Sequence, residues 1–305
     1  MTRESGQGLS ARQGSGLPPA AIGMLCGAGA ALLWALGLVS ARHAIVIGLS
    51  PLDITLHRMV WSGLAFLPFI GAGQAADVRG VGWGRGILLM LSGGPPLALL
   101  SYSGFILVPL GHGGVIQPSC AALGGLLLST LVVKERLPAT RLAGAIAIVV
   151  GLCVIGYEAL STIGVHGIVG DLAFVGAGFL FALFGMMLKL WGVSPIRAVG
   201  ITGVLSLPLV PFQWLFYGFD NQIAAGLHEF AMLALVQGLL AGAVATFLFT
   251  RAVVLLGAAR AAVFPALVPP FTLLTGLVFL GVVPTGFQLA GMAIVLLGFR
   301  LTQKA

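Results

Sequence analysis

Lys134-Glu135-Arg136-Leu137-Pro138, followed by Arg141-Leu142-Ala143-Gly144, is the punctuation on which the chain is organised. One apolar segment ends in that charged cluster and another begins directly after it, so the stretch from Gly111 to Gly156 reads as two helices and a tight connection. A weaker copy closes the chain. Pro118 finds Pro265, and Leu142-Ala143-Gly144 finds Leu289-Ala290-Gly291, each 147 residues later. At the same offset, Gly23 to Arg42 laid on Gly170 to Lys189 matches at Gly23, Leu25, Gly29, Ala30, Leu33, Ala35 and Leu36. Ser50-Pro51 and Ser194-Pro195 add a third correspondence.

What surrounds these marks is apolar. Charged residues make up 8% of the chain and hydrophobic ones 59%, where a soluble chain carries roughly 25% charged residues. Apolar runs of about 20 residues, each long enough to cross a hydrocarbon core, recur along nearly the whole length. A polytopic helical membrane protein follows, and a β-barrel, with its short alternating segments, does not. Spans are predicted at 20–41, 51–71, 86–107, 111–133, 139–156, 168–190, 196–217, 229–250, 258–280 and 284–301. Val39-Ser40-Ala41 resembles a signal-peptide cleavage site, but the apolar run before it is too long for that, and it reads as a retained helix. Residues 1–17, nearly all polar, read as a disordered cytoplasmic tail. Two repeats follow, 18–156 and 157–305. Five spans in each is an odd number, so the repeats are inverted, an architecture of secondary transporters with the substrate site between the halves.

Orientation follows from the basic residues. Of the fifteen Lys and Arg, only Arg42 and Arg58 fall outside one set of helix ends. Lys and Arg mark the cytoplasmic side, so both termini are expected there, with Glu158, Asp171, Asp220 and Glu229 outside. The net charge of +7 is dispersed between apolar runs and implies no nucleic-acid partner. Cys26, Cys120 and Cys153 sit inside apolar runs with no ligand spacing, hence no metal and no disulfide framework. His-Glu-x-x-His, phosphate-loop and nucleophile-elbow motifs are absent, which argues against an enzyme.

Ionisable groups inside a membrane are costly and invite functional readings. Arg58 binds a substrate carboxylate, or else it snorkels outwards or holds backbone carbonyls of a broken helix. His57 is expected to pair with Asp53 one turn away, and it is also the one obvious proton carrier within the spans. Since no carboxylate stands at mid-membrane, facilitated diffusion or exchange is expected over proton coupling. Glu135 is either a topology-fixing helix end or part of an inner gate. Pro95, Pro96, Pro118, Pro265 and Pro269 each remove a backbone hydrogen bond and mark bends; the freed carbonyls face protein or a wet cavity. Trp34, Tyr102, Gln117, Phe181, Gln237 and Phe264, with His57 and Arg58 nearby, are the candidate lining of a midplane site. The plain alternative for the rings is helix packing.

These residues resemble the drug/metabolite transporter superfamily, in its ten-span branch of two EamA-type repeats, over about residues 20–301. The resemblance rests on Ser50-Pro51 with Arg58, on Pro118, and on Glu135-Arg136-Leu137 leading to Leu142-Ala143-Gly144 and Gly151. In the second half it rests on Pro265 and Leu289-Ala290-Gly291 to Gly298, while Val282 stands where the first half has Glu135. It implies an all-α bundle of ten helices, one to four and six to nine around a central cavity, five and ten peripheral. It further implies a carrier of small organic metabolites, including amino acids, with aromatic amino acids favoured by the ring-rich lining. The expectations that follow are a bacterial cytoplasmic membrane location, alternating access and no cofactor. The expected partners are a small-molecule substrate and membrane lipid, in a monomer or weak homodimer. Rival readings are a nucleotide-sugar or drug carrier of the same fold, and a membrane enzyme acting on lipid.

Overall fold

The computed structural model describes residues 17–70, 78–108, 110–132, 134, 136–157, 167–280 and 283–304. The N-terminal tail over residues 1–16, Glu135 and Glu158 lie outside them. Within the described residues all regular structure is helical, and it forms ten segments. These are α1 (Pro19–Val46), α2 (Pro51–Ile70), α3 (Trp83–Leu107), α4 (Leu110–Leu131), α5 (Ala139–Ile155), α6 (Gly167–Leu190), α7 (Pro195–Phe216), α8 (Asp220–Leu256), α9 (from Ala258 to Leu280) and α10 (Gly286–Gln303). A single turn, Val78–Val81, precedes α3.

Three boundaries differ from the sequence reading by five residues or more, the third being the end of α8 at Leu256 rather than 250. Helix α1 runs on to Val46 rather than ending near residue 41. Helix α8 starts at Asp220 rather than 229, because the polar residues there form its first turns. Gly226 interrupts them with φ 86° and ψ 169°, a conformation that side-chain-bearing residues rarely adopt. Farther along, Ala234–Val244 is wound as a π-helix.

The two copies of the Leu-Ala-Gly motif meet each other. A Cβ on Gly144 would lie 2.7 Å from the carbonyl oxygen of Gly298, and one on Gly151 would lie 2.8 Å from that of Gly291. The pairings 144 with 298 and 151 with 291 run in opposite senses, so α5 and α10 are antiparallel. Each glycine of one repeat faces the non-equivalent glycine of the other, as a twofold axis between inverted repeats requires. Without a hydrophobic drive between helices in lipid, such backbone approach supplies the van der Waals contact that holds them. The same device joins α1 to α8, where Gly37 abuts Ala241, and α4 to α6, where Gly178 abuts the Gln117 carbonyl.

A side chain at Gly151 should therefore destabilise the bundle. Overpacking of this kind costs about 1–3 kcal/mol. Gly151→Val is expected to lower the Tm of the detergent-solubilised protein, while Gly84→Ala, where nothing lies within 4 Å, leaves it unchanged. Equal shifts in both would refute the contact.

Candidate functional site: the central cavity

Backbone breaks come first, because they open the middle of the bundle. Helix α3 is divided at Gly94 (φ −112°, ψ −135°), and Pro95 and Pro96 start its second piece. Pro118 lies inside α4. In α9 a 3-10 turn, Phe264–Leu267, carries Pro265 and hands over to a straight helix from Val268 whose first turn holds Pro269. A proline cannot donate to the helical ladder, so Pro118 inside α4 frees a carbonyl, while Pro95, Pro96 and Pro265 stand in first turns, where the missing N–H had no helical partner.

Between these breaks lies a cavity of about 120 Å³ lined by α1, α2, α3, α4, α6 and α9. Of the residues singled out from sequence, Trp34, Arg58, Tyr102, Gln117, Pro118, Phe181 and Pro265 line it. Among the described residues α5 and α10 contribute nothing to the wall, and α7 and α8, expected around the cavity, contribute nothing to it either. The volume equals roughly four waters at about 30 Å³ each and falls short of the ~300 Å³ at which ordinary ligand pockets begin. This conformation is a constricted one.

Arg58 dominates the chemistry. Its Nη1 donates to the Tyr102 hydroxyl at 3.3 Å. That hydroxyl donates to Gln237 Oε1 at 3.0 Å, and Gln237 Nε2 donates to the Gly37 carbonyl at 2.6 Å. The chain of bonds fixes the tyrosine and leaves most of the guanidinium N–H groups unspent. No carboxylate pairs with Arg58 among the described residues. Across the cavity, Ser101 Oγ lies 2.9 Å from the Leu97 carbonyl and 3.0 Å from the side-chain amide of Gln117, which holds that amide at the wall. The ring wall is fixed too: Trp34 Nε1 donates to the Ala241 carbonyl at 3.2 Å. Its ring meets Phe181 edge-on at 5.3 Å, and Phe181 packs on Phe249 at 4.6 Å. An anion-binding fork, a side-chain amide and an aromatic wall thus surround one small space.

Three residues of the expected lining are placed elsewhere. Gln237 is fully buried behind Tyr102 and acts through it. Phe264 is turned by the 3-10 winding into the contact with Gly27 and Phe299, the latter at 5.0 Å. His57 lies off the cavity, because neighbours on a helix point about 100° apart and Arg58 takes the inward direction. The expected His57–Asp53 pair is absent as well. Asp53 accepts from Ser50 N at 2.9 Å, Ser50 Oγ at 2.7 Å, Gln222 Nε2 at 3.0 Å and Gln213 Nε2, while His57 Nδ1 accepts from Trp61 Nε1 at 3.0 Å.

Sequence reasoning missed two fasteners. His112, fully buried at the start of α4, pairs with Asp171 of α6 at 2.9 Å. His43, near the end of α1, pairs with Glu229 of α8 at 3.0 Å. Alternation of ten spans puts both at the same end of the bundle, opposite the connection after Leu131. No local pattern flags pairs formed 59 and 186 residues apart.

A model of the EamA-like transporter family matches residues 21–157 and again 168–302. A solved crystal structure of a protein superposes with a TM-score of 0.69 over 92% of this chain and 96% of its own length, at 19% identity; it supports the fold. No curated protein matches the sequence.

Proposed function

The chain belongs to the EamA-like transporter family, multi-pass membrane proteins that carry small molecules, and from that premise we propose that it carries amino acids, aromatic ones preferentially, by alternating access through the central cavity. The observation that carries the reading is Arg58, a cation without an acidic partner among the described residues, facing a cavity walled by Trp34 and Phe181. A guanidinium fork matches a carboxylate in bidentate geometry. The Gln117 amide adds a hydrogen-bonding group, and the ring wall adds a platform for an aromatic side chain or, through its face, for an ammonium group.

Movement is located at the bends. The proline breaks in α3, α4 and α9 let these helices widen the constricted cavity. The His43–Glu229 and His112–Asp171 bonds close one end. With the basic ends inside, both termini are cytoplasmic, in a bacterial cytoplasmic membrane. Asp53 and Asp171 are each bonded to fixed partners, and neither lines the cavity. Exchange or facilitated diffusion follows rather than proton coupling.

Counterflow in proteoliposomes tests the substrate. Labelled amino acid should exchange without chemical change. Stacking contributes about 0.5–1.5 kcal/mol beyond area burial, so Trp34→Ala should weaken uptake of an aromatic amino acid up to roughly tenfold and spare a small aliphatic one. If Trp34→Ala and Gln117→Ala leave every substrate unaffected in folded protein, the lining is wrong. Covalent turnover of a lipid without solute flux would favour the enzyme reading instead.

A further inference from the structure

The other face of α2 carries a site of a different kind. Between α2, the second half of α7 and the first turns of α8 lies a groove of about 520 Å³, inside the ~300–1,000 Å³ range of small-molecule sites. Leu56, Val60, Trp61, Val210 and Phe230 form its walls, and the break at Gly226 lies along it. Ile223 and Leu227, 75% and 82% exposed, stand at its mouth, so it opens sideways from the bundle. Phe230 sets its edge against His57 at 4.9 Å and against Trp61 at 5.7 Å, which makes the walls stiff rings rather than mobile chains. No Lys, Arg, Asp or Glu is part of the lining.

One polar atom in this apolar space is unaccounted for. Because the Trp61 N–H is spent on His57 Nδ1, that nitrogen is the acceptor and the neutral ring carries its proton on Nε2. His57 is 1% exposed, and Nε2 completes no hydrogen bond of good geometry, although the Gln222 side chain lies close enough to interact with the ring. Gln222 lies beside it in the lining, its Nε2 already given to Asp53, so the amide oxygen remains. A buried donor left unpaired is costly, and an oxygen brought in by a ligand would recover that cost. We propose that this groove binds an uncharged, membrane-soluble amphiphile: an apolar, ring-bearing body with one carbonyl or hydroxyl oxygen, which accepts from His57 Nε2. A hydroxyl would also donate to the Gln222 oxygen. The site is independent of the central cavity, from which His57 is turned away.

Benzophenone is a suitable probe, since it is an uncharged ketone with two rings that photolabels what it touches. The full-length protein in phosphatidylcholine nanodiscs is irradiated with it and the adducts are mapped by mass spectrometry. Labelling at Val60, Ile223 and Leu227 should exceed that at Leu25 and Leu172, which are exposed elsewhere on the bundle, by at least about fivefold, the equivalent of ~1 kcal/mol. His57→Phe keeps a ring and removes the donor, so labelling should fall by a similar factor; Val60→Trp fills the groove and should abolish it, with gel filtration reporting that both variants are folded. Uniform labelling of all lipid-facing leucines, or no effect of either variant, would overturn the site. Equal labelling by 4-benzoylbenzoate would overturn the requirement for an uncharged ligand. Strong labelling in detergent that phosphatidylcholine suppresses would assign the groove to a phospholipid chain and overturn the solute.

Discussion

Arg58→Ala is expected to lower counterflow of a carboxylate-bearing substrate by roughly thirtyfold or more, since truncating one partner of a buried, hydrogen-bonded charge pair costs about 2–5 kcal/mol and 1.4 kcal/mol is a factor of ten. The loss should appear without loss of folded protein. Tyr102 keeps its bond to Gln237 when the guanidinium is gone, and no acidic group among the described residues is left unpaired. Arg58→Lys is the sharper variant: it keeps the charge and loses the fork, so an intermediate rate is expected. The measurement is exchange of labelled amino acid in proteoliposomes, paired with the Tm of each variant. If both variants exchange normally, Arg58 is a structural cation and the anion site lies elsewhere. If both unfold, its work is to hold carbonyls at the break in the helix bundle.

How far the sequence reading reached depends on how local each signal is. The duplication is legible because Leu-Ala-Gly with a glycine seven positions on is repeated whole, and the contact it encodes, Gly144 on Gly298 and Gly151 on Gly291, is centred on those glycines, with Thr302 and Val295 beside them. The broken helices are legible because proline removes a donor wherever it stands. The choice between His57 and Arg58 is not legible: both are polar neighbours in an apolar run, and only tertiary packing decides which one faces the axis. Phe264 fails for a related reason, since a 3-10 turn shifts the direction of its side chain from that of an ideal helix. Helix α8 begins nine residues early because a polar, glycine-bearing stretch reads as a loop, yet its turns close on either side of Gly226. Asp53 is half legible. Ser50-x-x-Asp53 has the spacing of a capping box, but its distant partners Gln213 and Gln222 leave no mark near it.

Those partners make Asp53 the residue whose loss should destabilise the bundle most. Ser50 and Asp53 cap α2 reciprocally: Ser50 Oγ accepts from the Asp53 N–H at 3.1 Å, and Asp53 Oδ2 accepts from the Ser50 N–H at 2.9 Å. The other oxygen, Oδ1, receives the amides of Gln213 from α7 and Gln222 from α8. Gln213 cannot turn over to compensate, because its Nε2 also points at the Gly218 carbonyl at 3.3 Å. The carboxylate is 2% exposed and both glutamines are buried. In the second repeat Ser194 caps the equivalent helix without an acid, Arg197 standing at the matching place, so no second knot shares the load. Asp53→Ala takes the Asp53 acceptor from two buried amides, leaving Gln213 only its longer bond to the Gly218 carbonyl, at about 1–3 kcal/mol each, and removes the cap of α2, worth about 1 kcal/mol. A fall of roughly 3–7 kcal/mol in stability is expected, seen as a large drop in Tm. Asp53→Asn keeps one acceptor oxygen and should lose less. Gln213→Leu alone should be milder, because Asp53 retains Ser50 and Gln222. The double variant Asp53→Ala/Gln213→Leu should be less harmful than the sum of the two singles by at least about 0.5 kcal/mol, because the second change removes an amide that the first has orphaned. Strict additivity would show that the carboxylate does not hold α7 to α2.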